Sequence, residues 1–581
     1  MNTYLRRWRI AGAVTAALAV GAVAPVSAQA STTKPRYGGE IKVGIFDTFP
    51  GFCLSNNPAN SSLMAVRTMY ETLFEKTIGG DYVGLLATGA THTADLKEWT
   101  IGLRPGVKFH DGVAFNADAV VANFQALTGQ IAAGAYARAG LAGYGAKAYT
   151  VGTSTAFTAN IKAVSKVDDL TVKFTLDRAQ NDLPGTLYAS GRFVMRSPSQ
   201  LADSATCSTK PVGTGPFKFE SSDPNTLVVV RNNEYWRKDP KTKAKLPYLD
   251  KITFMNVKEA SQRGAAVRRG TIDAAMFAAG SEATFIKDLR LRKSVVTEYR
   301  SKSEYYPSLW MNQGKPGSPF ASRNARMAVA SCVNRKLFVE ARARGEGSVA
   351  TSIVGPTSAM YNTKGFTPFS VKKAKGYVAA YTAETGKPLE FSMPVDSSTS
   401  AQSNAKFLQK QWEKCGIRMT MVVEEGAVII GKAFNATPKA GSYYNAYDLI
   451  SILLLEGTDV SFNLPFLVTN SYPASSTNAV APLFRNSVGT ILGLNHHNDS
   501  RVDDLFYAGQ AATTKAKAQV SYKAATKYLQ ENAFMTSMMN TYYSMFVGKH
   551  IQGVGKLQLQ SGKTQRVMTN WGIDWTGVWV K

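Results

Sequence analysis

"WTIGLRPGVKFHDGVAFNADAVVANF", residues 99–124, writes a strand, a turn and a helix in one run. Trp99, Ile101 and Leu103 alternate with Thr100, Gly102 and Arg104, the period of two expected of a strand with one apolar face. Pro105-Gly106 supplies a turn with positive φ at its second central residue. Val107 and Phe109 resume the alternation, and His110-Asp111-Gly112 ends it. Asn116 then reads as an N-cap, Asp118 suits the positive end of a helix dipole, and Val120, Val121, Phe124 and Leu127 form a buried helical face. His110-Asp111 invites an acid/base reading, but every residue of the stretch has a structural task. A turn between a strand and a capped helix is the expectation.

The same alternation of strand and helix recurs outward from there. "GGEIKVGIFDTFPGF" predicts a strand over 40–46 opening into a Pro/Gly loop, and residues 60–75 place Leu63, Val66, Met69, Tyr70 and Leu73 on one helical face. Residues 161–176 put Val172, Phe174 and Leu176 on one face after a turn at Asp168-Asp169. "EASQRGAAVRRGTIDAAMF" predicts a short helix ended by Gly270 and a strand begun by Ile272. Residues 401–423 space Ala405, Leu408, Trp412 and Cys415 helically, stop at Gly416 and continue as a strand; residues 500–534 read as helical. Helices that run straight into strands build α/β lobes. A chain of 581 residues, 44% hydrophobic, has enough apolar mass for more than one core.

Residues 1–30 differ in kind. Arg6, Arg7 and Arg9 precede the apolar run IAGAVTAALAVGAVA and the small residues VSAQA, the pattern of a secretory signal peptide removed near Ala28 or Ala30. The apolar run falls short of the roughly 20 residues of a membrane span. Arg6-Arg7 leaves Sec and twin-arginine export both open. The mature chain is therefore expected to be soluble and extracytoplasmic, in the periplasm or associated with the cell envelope. Export changes the reading of Cys53, Cys207, Cys332 and Cys415. Without a CxxC pair they argue against zinc and for up to two disulfides in any of three connectivities, four buried thiols being the alternative. The net charge of +26, from 67 Lys+Arg against 41 Asp+Glu, points to attraction towards anionic envelope polymers or headgroups. No basic stripe sits on a recognisable module, so nothing argues for nucleic acid.

Further pieces carry a resemblance: "VDDLTVKFTL", "GTGPFKFE" with "VVVRNNEYW", "LDKITFMNV" followed by "RRGTIDAA", "SPFASRNARMAVASCVNR" and "WEKCGIRMTMVV". In this order and spacing with residues 99–124, the chain from about residue 37 onward resembles the large extracytoplasmic solute-binding proteins of ABC importers, family 5, which includes the oligopeptide- and dipeptide-binding proteins. The resemblance implies an α/β fold, a two-lobed periplasmic-binding-protein-like clamp of the large class. Lobe I would span 31–303 with an extra subdomain inserted at about 76–190, lobe II 304–530, and 531–581 would return to lobe I. A guest in the cleft would be buried by hinge closure. The implied partners are a small-molecule or peptide ligand and an ABC permease complex in the membrane, with the chain a monomer that needs no cofactor or metal. With the lobes so placed, disulfides Cys53–Cys207 in lobe I and Cys332–Cys415 in lobe II leave the hinge free.

The resemblance also supplies site candidates. Members commonly carry an Asp-rich, Trp-containing stretch in lobe II that meets a peptide α-amino group. The counterpart here is "YDLISILLLEGTDVSFNLPF", which starts at Tyr447 and offers Asp459 to a ligand ammonium. Tyr305, Tyr306 and Trp310 lie where the chain enters lobe II, Asn312 would bond an amide, Tyr543 stands in the return, and Phe52 follows the first strand. Aromatic walls with few polar groups suit varied organic guests. Catalytic signatures are missing: neither GxSxG nor HExxH occurs, and GTGPF lacks the Lys-Ser/Thr and helix of a phosphate loop, so it reads as a turn near the cleft. His496-His497 invites a metal but is expected in a solvated loop. A short peptide is the expected cargo. A nickel chelate, haem or oligosaccharide in the same fold, and a secreted hydrolase, are the competing readings.

Overall fold

A computed structural model describes residues 34–49, 51–52, 60–128, 156–202, 208–302, 307–434, 437–439, 442–444, 447–453, 460–469, 492–569 and 571–581. The signal peptide read over 1–30 lies outside them.

The strand expected over 40–46 runs Glu40–Ile45 and buries Ile41, Val43 and Ile45. It is the middle of a seven-stranded sheet and pairs in parallel with Lys251–Asn256 and Ala274–Ala278. The helix between those two strands, Ala260–Arg269, ends at Gly270 with φ 73°, a backbone angle that suits glycine. Thr226–Arg231 and Phe217–Asp223 extend one side of the sheet. On the other side Tyr543–Gly548 lies antiparallel between Ala274–Ala278 and Val296–Arg300. This sheet carries the core of lobe I.

Lobe II is built on Ser308–Met311, which lies between Leu449–Ile452 and Met535–Ser537 and antiparallel to both. Beside it Glu390–Asp396 and Arg418–Glu424 pair in parallel through the helix Thr399–Glu413. Trp412 and Cys415 are buried, as their helical spacing predicts. Cys415 is bonded to Cys332, with 6.4 Å between their Cα atoms, so the corner after Thr399–Glu413 is pinned to the C-cap of helix Arg323–Ser331. Cys53 and Cys207 lie outside the described residues.

Among the described residues the chain passes between lobe I and lobe II from Arg300 to Ser308 and again from Asn540 to Tyr543, because Met539–Asn540 still pairs with Ser348–Val349. Met535–Ser537 pairs with lobe II, Ser537 opposite Ser308.

Residues 99–124 belong to a third body. Glu98–Leu103 enters a four-stranded antiparallel sheet in the order Ala87–His92, Glu98–Leu103, Thr171–Leu176, Ile161–Asp168. Trp99, Ile101 and Leu103 pack with Val172, Phe174 and the helix Ala117–Thr128. Asn116 caps that helix by accepting from the Ala119 amide at 3.0 Å. His110-Asp111-Gly112 is a turn, with the Gly112 amide donating to Phe109 O at 2.9 Å. Asp111 accepts from Ser197 Oγ at 2.7 Å and Ser199 Oγ at 2.5 Å.

This turn docks on the GTG loop of lobe I. The His110 amide donates to Gly213 O at 2.8 Å, and His110 Nε2 lies 3.0 Å from Gly215 O, which makes Nε2 the protonated nitrogen. From the other side the Gly215 amide donates to Met69 O at 2.9 Å. A Cβ at Gly213 would stand 2.2 Å from Met69 O, and one at Gly215 2.5 Å from Met69 C. The glycines are there to let two backbones touch. Their contact also ends the helix predicted over 60–75 at Met69, since Asn60–Met69 is capped by the loop.

Two outcomes are expected. Gly213→Ala forces these backbones apart and destabilises the chain by about 1–3 kcal/mol in urea unfolding. Replacing Cys332 and Cys415 by alanine opens a loop of sequence separation 83 and lowers stability by about 2–4 kcal/mol in the same measurement.

Candidate functional site

Parallel strands in an open α/β sheet leave a crevice beyond their carboxyl ends. In lobe I, Val296–Arg300 runs antiparallel to Tyr543–Gly548, which is itself antiparallel to Ala274–Ala278. The crossing at Arg300 therefore leaves the sheet on the side where the parallel strands end, at Ile45, Asn256 and Ala278. In lobe II, Ser308 pairs with Ile452, so Leu449–Ile452 also ends beside the crossing. Both lobes turn strand ends toward the crossovers, and the space between those ends is the candidate site.

The lobe I wall is braced by Arg263, whose side chain is fully buried. Its Nη1 donates to Val257 O at 2.6 Å and Lys258 O at 2.8 Å, and its Nε to Met276 O at 3.0 Å. Nη2 meets Glu282 in the first turn of Ala279–Arg290, and the other Glu282 oxygen accepts from the Ala278 amide at 2.8 Å. One guanidinium thus ties two strand ends and a helix start together. It also lies over the rings of Phe46 and Phe277, 5.4 and 5.0 Å from their centroids. Phe46 stacks on Tyr543 at 5.9 Å. Beside it, Asp47 accepts from Ser61 Oγ at 2.6 Å and the Ser61 amide at 2.9 Å. Burial pushes the Asp47 carboxyl above its ordinary range, while Ser61 and the charge of Arg263 pull the other way.

The residues singled out from sequence divide. Tyr543 sits at the crossing, 5% exposed, stacked on Phe46. Phe52 is in the lobe I core, edge-on to Phe219 at 5.8 Å. Trp310 is wholly enclosed in a lobe II core with Ile450, Phe506 and Leu529. Asn312 is buried, its Nδ2 donating to Tyr447 O at 3.0 Å and its Oδ1 accepting from the Gly314 and Lys315 amides at 3.1 Å each. The Tyr447 hydroxyl donates to Leu494 O at 2.9 Å. Tyr305, Tyr306 and Asp459 lie outside the described residues. Arg263, Asp47 and Phe46 were missed. Arg263 sat in a segment read only as a short helix, and nothing local marks a cation that serves distant carbonyls.

The expectation of a solvated His496-His497 loop is overturned: both side chains are buried. His497 Nε2 lies 2.7 Å from Leu467 O and its ring stacks on Phe534 at 4.9 Å. Packing inside lobe II encloses the pair. Among the described residues no three His, Cys, Asp or Glu side chains gather in a way that could hold a metal ion, and no helix is long and apolar enough to cross a membrane.

Residues 81–471 match the model of the bacterial extracellular solute-binding proteins, family 5. The chain belongs to this family. It is 28% identical over 454 residues to the glutathione-binding protein of Pectobacterium atrosepticum, covering 75% of this chain and 77% of that one. It is 26% identical over 389 residues to the nickel-binding periplasmic protein of Escherichia coli K12, covering 64% and 69%. A periplasmic binding protein from Helicobacter pylori, solved with the peptide STSA, superposes with a TM-score of 0.74 at 19% identity, over 94% of this chain and 98% of that one. The α/β fold is the two-lobed one of the periplasmic binding proteins.

His110 and His497 make a test. Burial draws both His110 and His497 from 6.5 down to about 4. A histidine kept neutral in the folded chain contributes its full stability above about pH 6.5, and loses it as pH falls from there toward 4, because the unfolded chain takes up the proton first. Urea midpoints should fall through that window, and His110→Gln should flatten the fall.

Proposed function

We propose that this solute-binding protein captures a short peptide or peptide-like solute between its lobes and delivers it unchanged to an ABC permease in the membrane. The observation that carries the reading is the facing of strand ends across two crossovers. A guest there touches both walls only when the lobes are together, so binding favours the closed state. Relatives named for glutathione and nickel, and a structural neighbour solved with a tetrapeptide, support a small polar guest and favour a peptide-like one. In this reading the chain acts by binding without turnover, as a monomer outside the cytoplasm after its signal peptide is removed.

Tyr543 with Phe46, together with Tyr305 and Tyr306, would line the guest, and Asp459 would pair with its ammonium. Phe52, Trp310, Asn312 and Tyr447 would hold the wall from behind. Titration calorimetry with reduced glutathione and with di-, tri- and tetrapeptides should give saturable binding by at least one, with no product on incubation. Asp459→Asn should weaken that binding at least tenfold, an ion-paired hydrogen bond being worth about 1.5–3 kcal/mol. No binding across the panel, or turnover of any member, would overturn the proposal.

A further inference from the structure

The subdomain that carries residues 99–124 is seated on lobe I, yet it also grips lobe II, at a place that involves neither crossover. The Phe157 ring stacks face to face on Phe462 at 5.1 Å and 13°, and stands edge-on to Phe466 at 5.7 Å. Arg192 lies over the Phe462 ring at 5.0 Å. Next to this, the Asp182 carboxylate accepts from Ser461 Oγ and from Gln180 Nε2. Asn181 does most. Its amide donates to Gln510 O at 2.9 Å, and its Nδ2 donates to Gly509 O at 3.0 Å and to Ala512 O at 2.7 Å. These carbonyls belong to the last turn of helix Ser500–Gln510 and the residues just after it. The last carbonyls of a helix have no partner inside it and must be supplied with donors from elsewhere. Arg178 closes the edge of the contact, 4.0 Å from the centre of the Tyr507 ring.

We infer that the inserted subdomain is a latch: it closes the clamp from a second side through protein groups alone, with Asn181 as its positioning residue. The inference rests on the reading of a clamp that opens and shuts. It adds that part of the free energy of closure comes from residues that never touch the guest. Guest affinity is then set partly at Asn181 and Phe157, because a guest binds more tightly when the competent state is already populated. The exposed Lys515–Asp81 pair in the same region, at 3.0 Å, adds little beside the buried contacts. The hydrogen-bonded cap and the stacked rings carry the latch.

The test needs no guest. Spin labels at Glu220 in lobe I and Lys406 in lobe II, both exposed, report the separation of the lobes in the free chain. The unaltered protein should populate a short distance. Asn181→Asp keeps the volume of the side chain, removes the two Nδ2 donors and sets a carboxylate against carbonyl oxygens. It should lower the ratio of short to long distances at least tenfold, which is about 1.4 kcal/mol, with the far-ultraviolet circular dichroism of the full chain unchanged. If Asn181→Asp fails to fold, Phe462→Ala opens the same contact from lobe II and should give the same shift. An unchanged distance distribution in a folded variant, or only the long distance in the unaltered chain, overturns the latch. Calorimetry decides the solute-binding reading separately, so either can fail while the other stands.

Discussion

Met69 and the Gly213–Gly215 loop meet backbone against backbone, at a spacing that excludes even a methyl group at Gly213. The loop uses both faces: one amide caps the helix Asn60–Met69, and two carbonyls receive the amide and ring of His110. Next to it Glu71 is buried, accepting from Thr214 Oγ1 at 2.9 Å, the Tyr235 hydroxyl at 2.6 Å and Trp236 Nε1 at 2.9 Å. Burial raises the carboxyl of Glu71 above its ordinary range against the pull of these donors. A buried polar group is tolerable when its bonding capacity is filled, and removing a single partner is costly. The joint therefore makes lobe I and the subdomain one lever. A latch from that subdomain onto lobe II needs a base tied to lobe I in this way.

Arginines do comparable work nearer the crossovers. Arg263 collects the strand ends of lobe I. In lobe II, Arg335 donates to Ser537 O at 2.9 Å and Thr367 O at 3.0 Å, bracing the chain where it is about to leave that lobe. Between the lobes, Arg290 binds Glu298 of lobe I and Glu346 of lobe II, each through two hydrogen bonds, and both carboxyls are held below their ordinary range by it. A planar fork with several donors suits such sites where a lysine would not. Each crossing is thus flanked in both lobes by arginines that bind carbonyls or carboxylates.

Much of the scaffold was legible in particular residues. Trp99, Ile101 and Leu103 alternate because one face of their strand is wet, Asn116 caps because its side chain reaches an amide three residues on, and Gly270 and Gly416 stop helices because each takes a positive φ. These are local effects, and local sequence records them. The site was harder. Trp310 and Asn312 carry the look of wall residues, but Ser308–Met311 is covered on both faces, and a strand buried on both sides has no period to tell wall from core. His496-His497 looked polar and free, yet packing inside lobe II enclosed both rings.

By itself, the chain determined which stretches form strands, helices and turns, and it carried the ordered pieces that mark a two-lobed binding fold, because hydrogen-bond capping, backbone angle and side-chain alternation act over a few residues. Only the tertiary structure decided that Arg263 braces a cleft wall, that GTG meets HDG across more than 100 residues, and that Asn181 serves a helix 328 residues away. Those contacts join groups whose fitness for each other depends on distance in space, and nothing in the neighbouring residues of either partner encodes that distance.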